Sequence, residues 1–411
     1  MSVLSAFWAQ YLSWHPGPKL NRIHLNVPFL VYSSLPENGG QLDHITDIIN
    51  HQACEGSGHE EQHQLVSSLG LSGYPRHICM QQGLQPDKSL VLSTAAGMSY
   101  TSIVEKKIEN IQVLAITTAG VHGNAGRAGD EANWIEVQGK YTPFTPHSST
   151  TSTQVNCSVS YTSEGQAPPQ PGTINTLLFI GAQLLPGVLG QAFMTAVEAK
   201  AAAMQLLAVP SKASRFLATG TGTDQLVVAS LAQDQSVYTS AGKHVLLGQL
   251  TGQAVSESIL EALKWQNGLY PEMARHLFHI LGRFGTNEEA FLQRVQRYLS
   301  PAHYALMRAN PKSLFYDPAL AGAATALAAV CDRLLAGTFP PPAWSRILAA
   351  QWASLSSALA QDYALFNQFY IEMEVVCISL LNNSIESIFN YGNFEDMLAR
   401  SIALGWSHKW I

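Results

Sequence analysis

Three stretches of this chain bring together groups that could hold a nucleophile or approach a ligand closely. Gly172-Thr173 follows a long loop-like run and leads straight into the apolar Ile174 to Ile180. It presents a hydroxyl where backbone can bend and a strand can hold it still, a suitable place for a nucleophile. The plain alternative is a turn residue entering a core strand. Ala218-Thr219-Gly220-Thr221-Gly222-Thr223-Asp224 sets three hydroxyls, two glycines and a carboxylate before the strand-like Gln225 to Leu231, a turn that offers amide donors and one acceptor. After the apolar Ile111 to Thr118 comes a glycine loop, Ala119-Gly120-Val121-His122-Gly123-Asn124-Ala125-Gly126-Arg127-Ala128-Gly129-Asp130. Its backbone amides could approach a ligand closely, but it matches neither the P-loop nor the dinucleotide fingerprint.

A fourth stretch suggests different chemistry. His59-Glu60-Glu61-Gln62-His63 matches H-E-x-x-H, which on a helix sets two imidazoles one turn apart for zinc, with the first glutamate as base. Gly56-Ser57-Gly58 precedes it and polar residues flank it, so the favoured reading is a solvated first helical turn leading toward Leu65 and Leu69.

With 411 residues, 46% of them hydrophobic, and a net charge of -6, the chain has enough apolar material for a sizeable core and for two domains. Its lysines and arginines are scattered, which argues against a nucleic-acid groove or a polybasic membrane patch. Cys54, Cys79, Cys157, Cys331 and Cys377 are odd in number and widely spaced, arguing against a disulfide framework or zinc ribbon and fitting a reducing compartment. No basic residue precedes Lys19 and no cleavage site follows, so a cytoplasmic location is expected. Leu177 to Val197 is long enough to cross a bilayer, but Pro186 and several glycines interrupt it. A buried strand, a turn at Leu185-Pro186-Gly187 and a core helix are expected there instead.

The elements that must position these groups read as α/β (α+β). A layered sheet-and-helix catalytic domain is expected over 1–263 and an all-helical region over 264–411. Ile23 to Ser33 reads as one strand, Pro36-Glu37-Asn38-Gly39-Gly40 as a turn, and Ile45 to Ile49 as a second strand ending at Asn50. Residues 142–172 are rich in Ser, Thr, Pro and Gln and belong on the surface. Leu189, Phe193, Val197, Met204 and Leu207 keep near-helical spacing up to Pro210, and another helix runs through Ile259 and Leu263. Beyond Trp265, helical stripes recur at Met273, Leu277, Ile280, Leu281 and Phe284, at Leu348, Trp352, Leu355 and Leu359, and at Phe366, Tyr370 and Met373. Asn393 reads as the N-cap of a last helix that Gly405 stops. No polar constellation interrupts these stripes, so this region is expected to serve packing or partner binding and to be dispensable for chemistry.

Taken in order, Gly39-Gly40 with Ile48-Ile49-Asn50, Thr118-Ala119-Gly120 through Asp130, Gly172-Thr173-Ile174-Asn175, Glu198-Ala199-Lys200, Ala218 to Asp224, and Gly242-Lys243-His244 with Leu247-Gly248 resemble the adenosylcobinamide amidohydrolase (CbiZ) family over roughly residues 20 to 263. The resemblance implies hydrolysis of the amide joining a corrin side chain to aminopropanol, giving adenosylcobyric acid for cobalamin salvage. The chain has no D-x-H-x-x-G signature, so the corrinoid is expected as substrate, with no cofactor. A more distant similarity, through Asn124-Ala125, Gly172-Thr173 and the Gly/Thr turn ending in an acid, is to the ornithine acetyltransferase and DmpA-type aminopeptidase superfamily. That likeness implies that self-cleavage frees Thr173 as an N-terminal nucleophile, whose α-amine, with a reference pKa of about 7.7–8.0, would serve as base.

Amide cleavage also needs donors for the oxyanion and an acid for the leaving amine. Asn124, Thr221 and the glycine-loop amides are candidates for the first, and Asp224 or His244 for orienting the base or protonating the amine. Gly120, Arg127, Asp130, Asn175, Thr221, Thr223 and Lys243 are candidates for binding the substrate; Arg127 and Asp130 could equally form a structural ion pair. Two other classes stay open: a zinc hydrolase built on His59, Glu60 and His63, and a non-catalytic ligand-binding protein. In any of these the helical region could carry a homo-oligomer contact or a protein partner.

Overall fold

The computed structural model describes residues 4–54, 60–137, 140–144, 172–233, 236–381, 384–390 and 392–409. The chain is of the α/β class and divides into two compact units. One comprises most of the chain up to Tyr270; the other runs from Pro271 onward and includes Ser214–Phe216.

The first unit opens with β1 (Leu12–His15), β2 (Leu20–Leu25), β3 (Phe29–Ser33), β4 (Gly40–Leu42) and β5 (Asp47–Gln52), then α1 (Glu60–Gln81) and β6 (Ser89–Thr94). Next come β7 (Ser102–Ile108), β8 (Ile111–Ala119), the two-residue β9 (Ala125–Gly126), the hairpin of β10 (Trp134–Val137) and β11 (Lys140–Pro143), and β12 (Ile174–Ile180). The unit closes with β13 (Gln183–Leu184), α2 (Pro186–Leu206), β14 (Gly220–Thr221), β15 (Gln225–Leu231), β16 (Val237–Tyr238) and α3 (Leu246–Asn267).

Six strands form a mixed sheet in the order β4-β3-β15-β12-β8-β7, and four form a second sheet, β1-β2-β5-β6. In the larger sheet β12 lies antiparallel to β8 and parallel to β15. Parallel neighbours need a long crossover, which α2 supplies. Both faces of β12 are covered, so all seven of its residues are buried. Leu177 and Phe179 pack against Ile48, Leu90 and Leu92 of the smaller sheet. Thr176 turns the other way, to Thr117, which in turn bonds Ser258 of α3. On the far side of the smaller sheet, Tyr74, Ile78 and Cys79 of α1 pack on Ile49 and Val91. The layers are therefore helices, sheet, sheet, helix.

Several elements differ from the sequence reading for identifiable reasons. Ile23 to Ser33 is two strands, because Pro28 lies between β2 and β3 and has no N–H to give a ladder. Asn50 does not end β5 but sits inside it, buried. The helix α1 is broken at Gly70, whose φ of 71° only glycine adopts readily. His59 lies outside the described residues, as do the side chains of Glu60 to His63, so the zinc motif has no structural account here.

All described secondary structure of the second unit is helical. Leu348, Trp352, Leu355 and Leu359 are buried on one face of the helix Trp344–Ala360, as their spacing requires. The stripe from Met273 to Phe284 is not one helix but a 3-10 turn, a five-residue helix and a second 3-10 turn, closed by Gly285 at φ 90°. Gly405 does not stop the last helix, Asn393–His408, and the cap is Gly392. A Cβ at Gly405 would stand 2.4 Å from the Ser356 carbonyl oxygen, so its glycine permits two helices to touch. Among the described residues two helices, Pro318–Leu335 and Tyr363–Leu381, are long and apolar enough to cross a membrane; the first buries Leu320, Leu327 and Leu334 in the unit's core, whereas the second exposes Ile371, Val375 and Ile378.

His51 on β5 points toward α1, with Nδ1 3.2 Å from the Tyr74 hydroxyl. Burial, helped by the charge of Lys19, pushes this imidazole down from 6.5 to about 4. Between those values the unfolded chain binds a proton that the folded chain refuses, so stability is full above pH 6.5 and is lost as the pH falls through 4. Denaturation curves at stepped pH should lose on the order of 3 kcal/mol across that window, and His51→Gln should flatten the loss. An equally steep curve in the variant would assign the acid sensitivity to other groups.

Candidate active site

Thr173 stands immediately before β12, its hydroxyl 2.7 Å from that of Thr223. The Thr223 hydroxyl donates to the carbonyl oxygen of Gly172 at 3.0 Å, and Asn124 Nδ2 donates to Thr223 Oγ1 at 3.3 Å. A hydroxyl carries one proton, so with Thr223 committed to Gly172 the first bond must run from Thr173 to Thr223. The result is a directed chain from the Thr173 hydroxyl, through Thr223, to the carbonyl of the peptide bond just before Thr173. The glycine at 172 is not there for a left-handed turn, since its φ is not positive. A Cβ would lie 2.6 Å from Asn124 Oδ1 and 2.8 Å from the Gly120 carbonyl oxygen, so close approach is what demands glycine. Asn124 Oδ1 is itself buried, with no partner among the described residues.

A carboxylate fixes the start of both neighbouring strands. Asp224 Oδ1 accepts the Ile174 N–H at 3.1 Å and the Thr221 hydroxyl; Oδ2 accepts the Thr221 N–H at 3.0 Å and the ammonium of Lys200 on α2. The side chains of Lys200 and Asp224 are only 18% and 13% exposed, so neither charge is well solvated without the other. Gly220 leaves the room, because a Cβ there would meet Asp224 Oδ2 at 2.2 Å. The Gly/Thr turn and the glycine loop are joined by antiparallel pairing of β14 with β9, Gly220 opposite Gly126 and Thr221 opposite Ala125.

Behind Thr173 lies a second polar layer. Asn175 is fully buried between the sheets, and its Nδ2 donates to Asn50 Oδ1 at 2.9 Å and to the Ser93 carbonyl at 3.2 Å. Asn50 donates in turn to Thr118 at 2.8 Å. Gly120 N–H donates to the Thr173 carbonyl at 3.0 Å, and Gln266 and Asn267, in the last turn of α3, accept the N–H groups of Gly97 and Val121 at 2.9 and 3.1 Å.

The structure thus gathers Thr173, Asn124, Thr223, Asp224, Thr221 and Gly120. Thr221 faces the Asp224 carboxylate as part of the turn, and the Asn175 Nδ2 ties two sheets together while its buried Oδ1 has no partner among the described residues. Two of the glycine-loop amides are spent internally: Arg127 N–H on Asp130, Ala128 N–H on Thr219. Asp130 further accepts from Ser211, while Arg127 is exposed and reaches the Leu217 carbonyl. His244 is exposed before the first turn of α3, whereas Gln266, near the other end of that 22-residue helix, borders Gly120; at 1.5 Å per residue the helix is about 33 Å long, so His244 is far from the Gly120 side of the cluster. Lys243, beside it, pairs with Glu198. Lys200, Gln266 and Asn267 escaped assignment from the residues alone, because nothing local in a helix announces which distant strand its side chain will reach.

Removing one member of the poorly solvated pair leaves the other charge uncompensated. Lys200→Met should cost about 3–5 kcal/mol in a denaturant titration, and Lys200→Met with Asp224→Asn should recover part of it. A single-variant loss below about 1 kcal/mol would mean that the pair is solvated and does not anchor the strands.

The family model described as adenosylcobinamide amidohydrolase matches residues 19–271. An uncharacterized protein of Methanocaldococcus jannaschii is 32% identical over 194 residues, which is 46% of this chain and 68% of that protein. Every residue of the Thr173 cluster falls inside the segment that the family model matches, and that segment is more than half of the sequence: the chain belongs to the adenosylcobinamide amidohydrolase family.

Proposed function

We propose that this chain hydrolyses the amide between the corrin side chain and aminopropanol of adenosylcobinamide, with Thr173 as nucleophile, yielding adenosylcobyric acid for cobalamin salvage in the cytoplasm. The observation that carries the reading is the directed contact from Thr173 through Thr223 to the Gly172 carbonyl, at 2.7 and 3.0 Å. Such an arrangement suits attack of Thr173 Oγ1 on the Gly172 carbonyl carbon. Thr223 takes the proton of Thr173 and passes its own to the developing oxyanion. As the carbon–nitrogen bond breaks, the proton on that oxygen passes to the Thr173 nitrogen and the carbonyl re-forms, leaving an ester between Gly172 and Thr173; water then releases the Gly172 carboxylate and frees the Thr173 α-amine and hydroxyl.

The same groups then serve the substrate. The α-amine takes the Thr173 hydroxyl proton as Oγ1 attacks the substrate amide carbon, and delivers it to the nitrogen of the departing aminopropanol. Water hydrolyses the resulting ester and gives the free corrin carboxylate. Asn124 fits both stages, because its buried Oδ1, without a partner beside Gly172, is an acceptor in reach of the amine that cleavage creates. Asp224 acts at one remove, holding Ile174 N–H and the turn that presents Thr223.

Intact-mass analysis of active protein is expected to give fragments 1–172 and 173–411, with adenosylcobinamide converted to adenosylcobyric acid and aminopropanol. Thr173→Ala should remain one chain and be inactive, and Thr223→Val should slow both steps by roughly the 10²–10³-fold that loss of one oxyanion donor brings. Full activity in an uncleaved chain would exclude the α-amine as base. Turnover by Thr173→Ala would remove Thr173 from the chemistry altogether, and zinc lost together with activity on changing His59 and His63 would replace the mechanism with a metal-dependent one.

A further inference from the structure

We propose that the cleft walled by α1 and floored by β6 and Gln225 holds the corrin ring, with the scissile side chain reaching from it to Thr173; this rests on the functional reading above. The cleft has a volume of about 820 Å³, the upper part of the range for small-molecule sites. Its position follows from the strand pairing. Gln225 is the partner of Asn175 across β15 and β12, and Thr223 and Thr173 each lie two residues before that pair. Gln225 Oε1 accepts the Ser93 N–H at 2.9 Å, and the Ser93 carbonyl accepts from Asn175. The floor therefore begins two residues, about 7 Å along the strand, from the Thr173–Thr223 pair. A side chain a few bonds long spans that interval.

The lining suits a broad, flat, uncharged ligand with amide groups on its rim. Val66 and Val91 supply apolar surface, while Ser67, Gly70 and Ser72 keep the α1 wall low. Nothing lies within 4 Å of where a Gly70 Cβ would be, so the break in the helix opens space. Glu37 and Glu136 bring carboxylates to the cleft, and no lysine or arginine is among the described residues that line it. Carboxylate oxygens accept from carboxamide N–H groups, which surround a corrin, and repel an anion. Glu37 already holds Arg76 at 2.8 Å, which fixes its carboxylate in place.

The test is cobinamide binding to the Thr173→Ala protein, followed by the absorbance of the corrin. Ser72→Phe, an exposed α1 position, should fill the cleft and weaken binding by roughly tenfold or more without lowering the melting temperature. Glu136→Gln, on an exposed strand, is a second variant that does not depend on repacking and should weaken binding several-fold. In the otherwise unaltered enzyme both should raise KM and leave kcat largely unchanged. Binding by both variants as tight as by Thr173→Ala alone overturns the cleft assignment while leaving the reaction intact. If Thr173→Ala binds no cobinamide and the unaltered enzyme turns none over, the functional reading fails first and takes the assignment with it.

Discussion

The Asp224 carboxylate is the constraint on which the rest of the site depends. Its two oxygens receive a backbone N–H from β12, a backbone N–H and a hydroxyl from its own turn, and an ammonium from α2. One group thus fixes two adjacent strand ends and the crossover helix that links them. If the Ile174 N–H were bonded elsewhere, Thr173 could rotate away from Thr223. If Thr221 were released, Thr223 would lose the turn that presents it. The arrangement tolerates little variation, since a side chain at Gly220 would occupy the carboxylate's place. Charge-assisted bonds to a shielded carboxylate are strong, and they are strong only while every partner is present.

Opposite this hub, the core changes character along a single strand. Toward its end β12 contributes Leu177 and Phe179 to a dry layer between the sheets, whereas at its start Asn175 joins Asn50, Thr118 and Ser93 in a hydrogen-bonded layer. A buried amide network tolerates one register, because a shift by one residue would strand its donors in apolar surroundings. The polar layer therefore sets where the sheets sit against each other at the end where Thr173 lies. The apolar layer supplies most of the burial and would accept small adjustments.

The parts of this fold readable in the sequence were those governed by local rules. The strand after Thr173, the turn at Leu185-Pro186-Gly187 and the helix to Leu206 follow from hydrophobic period and from proline at a helix start. The Gly/Thr turn and Gly172 stood out because unusual residue types cluster there. What stayed hidden was long-range. Lys200 lies in an alanine-rich helix, and its partner is 24 positions away. Asn175 belongs to the Gly172-Thr173-Ile174-Asn175 motif, and its amide nitrogen bonds Asn50, 125 positions earlier. His244 lies in a motif of plausible composition, and the length of α3 puts it at the opposite end of that helix from the Gln266 that borders Gly120. Gly172 reads as a turn residue and Gly405 as a helix stop; both are glycine because another backbone or side chain occupies the place of a Cβ, which no single-residue preference reveals.

The break in α1 has a consequence for how the cleft behaves in time. Gly70 divides the 22-residue helix into two pieces, each shorter than the dozen or so residues at which an isolated helix becomes even marginal in water. The second piece buries Tyr74, Ile78 and Cys79, whereas the first is held, among the described residues, only by the partly buried Leu65 and Val66, with Ser67, Ser68 and Leu69 exposed. Less buried surface resists opening of the first piece about Gly70 than resists unfolding of the sheets, so its amides should exchange hydrogen ahead of those in β12. The two walls of the cleft would then differ in how fast they open, one set by a short helix and the other by a buried strand.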